Sequence, residues 1–117
     1  MKVRFYLRDD AMGTCYPCMD SKHRDLDGTH LLNIAASDMG RADRQADIEV
    51  CRREGEGYVW GNSACLLFSK TDVRIGAHLN ACSEPGNHVA FTLEQFDRFY
   101  ADWKLFLTGV PEFEREY

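Results

Sequence analysis

Residues 92–109 read TLEQFDRFYADWKLFLTG, and the periodicity of this stretch sets the fold class. Thr92 and Gln95 have the spacing of a capping box. The Thr92 hydroxyl can accept the Gln95 amide, while the Gln95 side chain reaches back to the Thr92 N–H. Glu94 suits the positive end of the helix dipole. Leu93, Phe96, Tyr100, Trp103 and Leu107 then recur at steps of three and four, and Phe99 and Phe106 widen the stripe. Gly109 is placed as a C-terminal cap, and Pro111 blocks continuation. A helix this rich in aromatics needs a surface to bury them, each covered ring contributing about 1.5–3 kcal/mol.

Alternating segments upstream supply that surface. In residues 2–8, Val3, Phe5 and Leu7 face one way and Lys2, Arg4, Tyr6 and Arg8 the other, as in a half-buried strand. Residues 9–29, with Gly13, Pro17 and Gly28, read as a long polar loop. Residues 30–36 (HLLNIAA) read as a short apolar strand, and 37–46 as a loop or helical turn. Asp47–Arg52 alternates with Ile48 and Val50 inward, and REGEG at 53–57 is a hairpin turn signal. Tyr58–Trp60 begins the returning strand, which 61–63 interrupts as a bulge or turn. Residues 64–68 are continuously apolar, a run with both faces covered. Thr71–Asp72 is a turn, and residues 72–79 alternate with Val73, Ile75, Ala77 and Leu79 inward. SEPGNH at 83–88 is a loop. The expected architecture is α+β: an antiparallel sheet of about five strands with a long C-terminal amphipathic helix on one face. A chain of 117 residues suits one domain over 1–117.

Composition narrows the function. With 44% hydrophobic and 28% charged residues the chain is of the folded, globular class. Its net charge of −5 repels phosphate backbones, so direct nucleic-acid binding is not expected and a basic partner is. The N-terminus has no apolar signal region, and no apolar run approaches the roughly 20 residues that span a bilayer. A cytoplasmic location, no membrane association and reduced thiols are therefore expected, the cysteine count of five being odd.

Three kinds of chemical site can be drawn on the sequence. Cys15, Cys18 and His23 have the spacing of the first three ligands of a zinc knuckle, but Gly28 stands at the fourth position, with His30 the nearest donor. A redox centre would need a helix after the CYPC motif of residues 15–18, and Asp9, Asp10 and Asp20 oppose a thiolate. Cys82 with His88, or Cys65 with His78, can be drawn as nucleophilic pairs, but no catalytic motif accompanies them. No cofactor or catalytic residue is expected, and Cys51 and Cys65 read as core filler. The binding class remains. Carboxylates cluster at Asp9 and Asp10 and at Glu54 and Glu56, and Tyr58 and Trp60 share one side of a strand. Together with Tyr16 and His78 they make an acidic, aromatic set suited to a basic protein surface.

VRIGAHLN at 73–80 followed by FTLEQFDRFYADWKLFL at 91–107, in a short acidic chain with strand hairpins, resembles bacterial immunity proteins. The similarity is to those of contact-dependent growth-inhibition systems, and it covers roughly residues 47–109. The resemblance implies an antitoxin that binds a cognate toxin, often a nuclease, and blocks its active site. It carries no site residues over, and the Cys15–His30 segment lies outside it. The alternatives are a small zinc module on Cys15, Cys18, His23 and His30, and a homodimeric interaction domain.

Overall fold

The computed structural model describes residues 1–9, 11–13, 15–21, 28–61 and 64–117, with backbone alone at 21 and 28–30. The elements run β1 (Lys2–Asp9), β2 (Cys15–Ser21), α1 (Gly28–Met39), α2 (Ala42–Glu54), β3 (Gly57–Trp60), β4 (Cys65–Phe68) and β5 (Asp72–Gly76). A short 3-10 helix (Asn80–Ser83), β6 (His88–Thr92), α3 (Leu93–Leu107) and β7 (Phe113–Glu116) follow. The strands form two antiparallel sheets, β2-β1-β7 and β3-β4-β5-β6, rather than the one sheet expected.

The long C-terminal helix forms as its sequence dictates. Thr92 Oγ1 accepts from Gln95 N at 3.1 Å and Gln95 Oε1 accepts from Thr92 N at 2.9 Å, completing the capping box. Phe96, Phe99, Tyr100, Trp103 and Phe106 are buried. This helix joins the sheets. Phe99 stacks on Phe91 of β6 with centroids 4.6 Å apart and meets Phe5 of β1 at 6.2 Å. Phe5 also touches Trp103, Phe106 and Phe113, so β1, β7 and α3 share one aromatic cluster.

Three local expectations are corrected. Residues 30–36 are not a strand: α1 buries Leu31, Leu32, Ala35, Ala36 and Met39, a two-column helical stripe that a window ending at Ala36 truncates. Asp47–Arg52 is not a strand either. It lies inside α2, where Ile48 is buried but Val50 is 40% exposed, so the apparent alternation is accidental. That helix buries little and is held to its neighbours by polar contacts. Arg52 grips Asp97 through two bonds of 2.7 and 2.9 Å, and Lys104 meets Glu49 at 3.2 Å. Gly55, with φ 71°, ends α2 as its left-handed cap and returns its N–H to Cys51 O. Residues 9–29 are not one loop, because 15–21 are β2, paired antiparallel to β1 with Tyr6 opposite Cys18. Among the described residues no helix is long and apolar enough to cross a membrane.

Candidate partner-binding surface

The register of the four-stranded sheet sorts its side chains into two faces. Val59, Leu66, Phe68, Val73, Ile75, Val89 and Phe91 point into the core. The opposite face carries two cross-strand rows. One is Tyr58, Leu67, Arg74 and Ala90, and the other is Trp60, Cys65, Gly76 and His88. Among the described residues, the element packed on this outer face is the short 3-10 helix. That short element sits on the second row. Cys82 Sγ donates to Cys65 O at 3.6 Å, and a Cβ at Gly76 would stand 3.1 Å from Cys82 Sγ, a tight contact that glycine avoids.

Polar clamps fix this cover. Arg74 donates to Asp72 Oδ2 at 3.0 Å and to Cys82 O at 3.2 Å. His78 Nδ1 accepts the Ala81 N–H at 3.1 Å, which places the proton of the neutral ring on Nε2. His88 Nδ1 faces two carbonyl oxygens, Ala81 O at 3.2 Å and Glu84 O at 3.0 Å, so its Nδ1–H donates. The two imidazoles thus hold the 3-10 helix through opposite hydrogen-bonding roles.

The uncovered part of the face is aromatic. Tyr58 and Trp60 are 54% and 51% exposed, whereas Val59 between them is buried. Trp60, His78, Leu79 and Asn80 line a groove of about 300 Å³. Glu54 and Glu56 precede Tyr58 and are exposed, and neither makes a hydrogen bond or ion pair in the described structure. The Lys70 stem lies against Gly55 at this end of β3.

Of the residues proposed from sequence, Trp60 and His78 therefore meet in one groove, with Glu54, Glu56 and Tyr58 on the same strand and its approach. Tyr16 and Asp9 belong elsewhere. Tyr16 lies on β2 and, with Pro17, Ala36, Gly40, Arg41 and Leu107, lines a separate groove of about 350 Å³. Asp9 sits opposite Cys15 at the open end of the β1–β2 pair. Asp10 and His23 lie outside the described residues, as does the side chain of His30. Sequence inspection missed Arg74 and drew His88 only as a partner of Cys82; the clamping roles of both arise only once the 3-10 helix folds over the sheet.

The C-x-x-C motif has a different geometry from a metal clip. Residues three apart on a strand point to opposite faces, about 10 Å apart along it. Cys15 is exposed on one side of β2 and Cys18 buried on the other. Desolvation, then the Asp9 carboxylate that accepts its S–H, holds the Cys15 thiol above its ordinary value. Burial raises Cys18, Cys51 and Cys82 as well, and pushes Cys65 to about 12. Among the described residues no three His, Cys, Asp or Glu side chains group as metal ligands. Comparison with protein-family models, curated protein sequences and solved structures finds no match to this chain.

Proposed function

We propose that this chain is a protein-binding domain of the immunity type, which neutralises a cognate toxin by covering its active site. The observation that carries this reading is the half-exposed pair Tyr58 and Trp60 on the uncovered outer face of the four-stranded sheet. Large aromatics at more than half exposure on a strand are costly to leave in water, and they are the residues that anchor protein interfaces. The acidic character of the chain, at −5, and the unpaired Glu54 and Glu56 favour a basic partner. A nuclease cleft is such a surface, because it is built to hold phosphates, and carboxylates can occupy the same positions.

The test is co-expression with the product of the adjacent reading frame, followed by co-purification and a protection assay in cells. A stable complex is expected, with Trp60→Ala and Tyr58→Ala each weakening it at least tenfold while leaving the melting temperature within a few degrees. Absence of any complex and of protection would end the immunity reading. A complex that tolerates both substitutions, but is lost with Tyr16→Ala, would move the surface to the β2 groove.

A further inference from the structure

Among the described residues the two sheets have four edges; two are guarded by their own sequence, and a third lies beside the chain termini. The β2 edge carries Pro17, which has no N–H to offer an incoming strand. The β7 edge carries the charged run Glu114, Arg115 and Glu116. Along β6, Met1 and Tyr117 stand across a groove from His88, Val89 and Ala90. The β3 edge has none of these devices.

Its backbone is also presented in the right phase. The Gly61 N–H donates to Ala64 O at 2.9 Å, closing a hydrogen-bonded pair at the end of the β3–β4 hairpin. Antiparallel pairs alternate, so Val59 opposite Leu66 is the next hydrogen-bonded pair. Val59 therefore spends its N–H and C=O on β4. The N–H and C=O groups of Tyr58 and Trp60 point the other way, out of the sheet, where no strand pairs with them among the described residues. The same two residues hold the exposed aromatic rings.

We propose that the β3 edge accepts an extended, basic strand of the partner protein, extending the sheet to five strands. This deepens, and rests on, the partner-binding function proposed above. Two residues of the incoming strand pair with the backbone of Tyr58 and Trp60. Its side chains on the outer face lie beside those two rings, and its cations meet Glu54 and Glu56. Charge selects the occupant. A second copy of this chain would bring its own −5 and its own Glu54 and Glu56 to the same edge, whereas a lysine- or arginine-bearing strand is complementary.

The probe is an acetylated heptapeptide alternating lysine and valine, titrated to millimolar concentration into the full chain. Amide hydrogen exchange is read residue by residue. In the free protein the Val59 amide is protected, and those of Tyr58 and Trp60 exchange rapidly. With the peptide, the Tyr58 and Trp60 amides slow at least tenfold, and a glutamate–valine peptide gives less protection. A second pair of variants checks the edge without relying on the peptide. Tyr58→Ala and Tyr58→Pro both lose the ring, but only proline loses the outward N–H, so partner-protein binding falls at least a further tenfold in Tyr58→Pro. Circular dichroism confirms that both are folded. Shifts at Trp60, Leu67 and His78 without slower amides would place the partner on the face and overturn edge pairing, leaving the partner-binding reading intact. Equal binding by the two variants, or no slowing at millimolar peptide, overturns it as well. Protection that grows with protein concentration alone would assign the edge to a second copy.

Discussion

Replacing Gly61 by alanine tests how the end of β3 is held. Gly61 is buried, directly follows Trp60, and has a φ outside the left-handed region, so alanine meets no backbone penalty there. The obstacle is steric. A Cβ at this position would stand 1.8 Å from Asp38 Oδ2, 2.1 Å from its Cγ and 2.7 Å from its Oδ1. Asp38 lies in the last turn of α1 and is only 4% exposed. Ordinary contact needs about 3.5 Å, so the carboxylate must retreat by more than 1 Å into packed surroundings. Overpacking of this kind costs about 1–3 kcal/mol. Disturbing the interactions that compensate a buried carboxylate adds about 1.5–3 kcal/mol.

A total of about 2.5–6 kcal/mol is expected, or a melting temperature lower by about 10–25 °C for a chain of this length. Thermal unfolding followed by circular dichroism measures it. The control is a double-mutant cycle with Asp38→Ala. If the contact is the cause, alanine at 61 costs under about 1 kcal/mol once the carboxylate is gone, giving a coupling of at least 2 kcal/mol. A Gly61→Ala change that lowers the melting temperature by less than about 3 °C, or that costs the same in both backgrounds, refutes the reasoning. Because Trp60 is the neighbour, the same substitution should also weaken partner binding.

Two further outcomes follow from the geometry. Thr92→Ala removes the hydroxyl that accepts Gln95 N, and should cost about 1 kcal/mol, or roughly 4 °C in melting temperature; a shift under 1 °C would show that the cap contributes nothing to stability. The second is alkaline sensitivity. Burial raises Cys65 from 9.0 to about 12, and burial also raises the Tyr100 and Tyr117 phenols above 10.0, the latter donating to Asp102. A group with a raised folded value binds its proton more tightly when folded. Its stabilisation is complete below the unfolded value and is lost as pH climbs through the folded one. Urea midpoints should therefore hold up to about pH 9 and fall progressively toward pH 12. Tyr117→Phe should flatten that fall, and a midpoint unchanged between pH 8 and 11 would contradict it.

What the sequence revealed depended on the range of the contacts involved. The final helix was legible because its cap and its stripe are local: Thr92 and Gln95 are three residues apart, and Phe96, Phe99, Tyr100 and Trp103 share one turn or two. Strands β3 and β4 and the start of β5 were legible from local alternation, but the hairpin expected across 53–57 does not form, because 47–52 is helical, and β5 ends at Gly76, which leaves Ala77 exposed rather than inward. The second sheet was not, because β1 pairs with β7 across nearly the whole chain, Phe5 opposite Phe113, and FERE at 113–116 has only one apolar residue to announce a strand. In α1 the helical stripe extends to Met39, beyond the polar Ser37 and Asp38 at which the apolar run ends. In α2 a single buried position, Ile48, fits a period of two as well as one of 3.6. Of the candidate surface, the pairing of Tyr58 with Trp60 needed only strand alternation. The groove formed with His78 needed the 3-10 helix, which local sequence did not announce.

The CYPC motif of residues 15–18 makes the same point about chemistry. A C-x-x-C pair converges on one metal or one disulfide only where the backbone turns between the thiols. On β2 it does not turn. Pro17 is accommodated because an edge strand needs no N–H on its open side, and the strand sends Cys15 and Cys18 to opposite faces. The motif's structural role is then that of its proline, which closes one sheet edge to other strands. At β3 the contrary arrangement holds: among the described residues no strand pairs with its outward amides, which lie beside two exposed rings. A chain that needed only to fold would be better served by charges at 58 and 60, as β7 has at 114–116, since an open aromatic edge invites aggregation. The difference between a closed edge and an open one on the same small protein is the ground on which the proposed interaction surface is assigned to the four-stranded sheet.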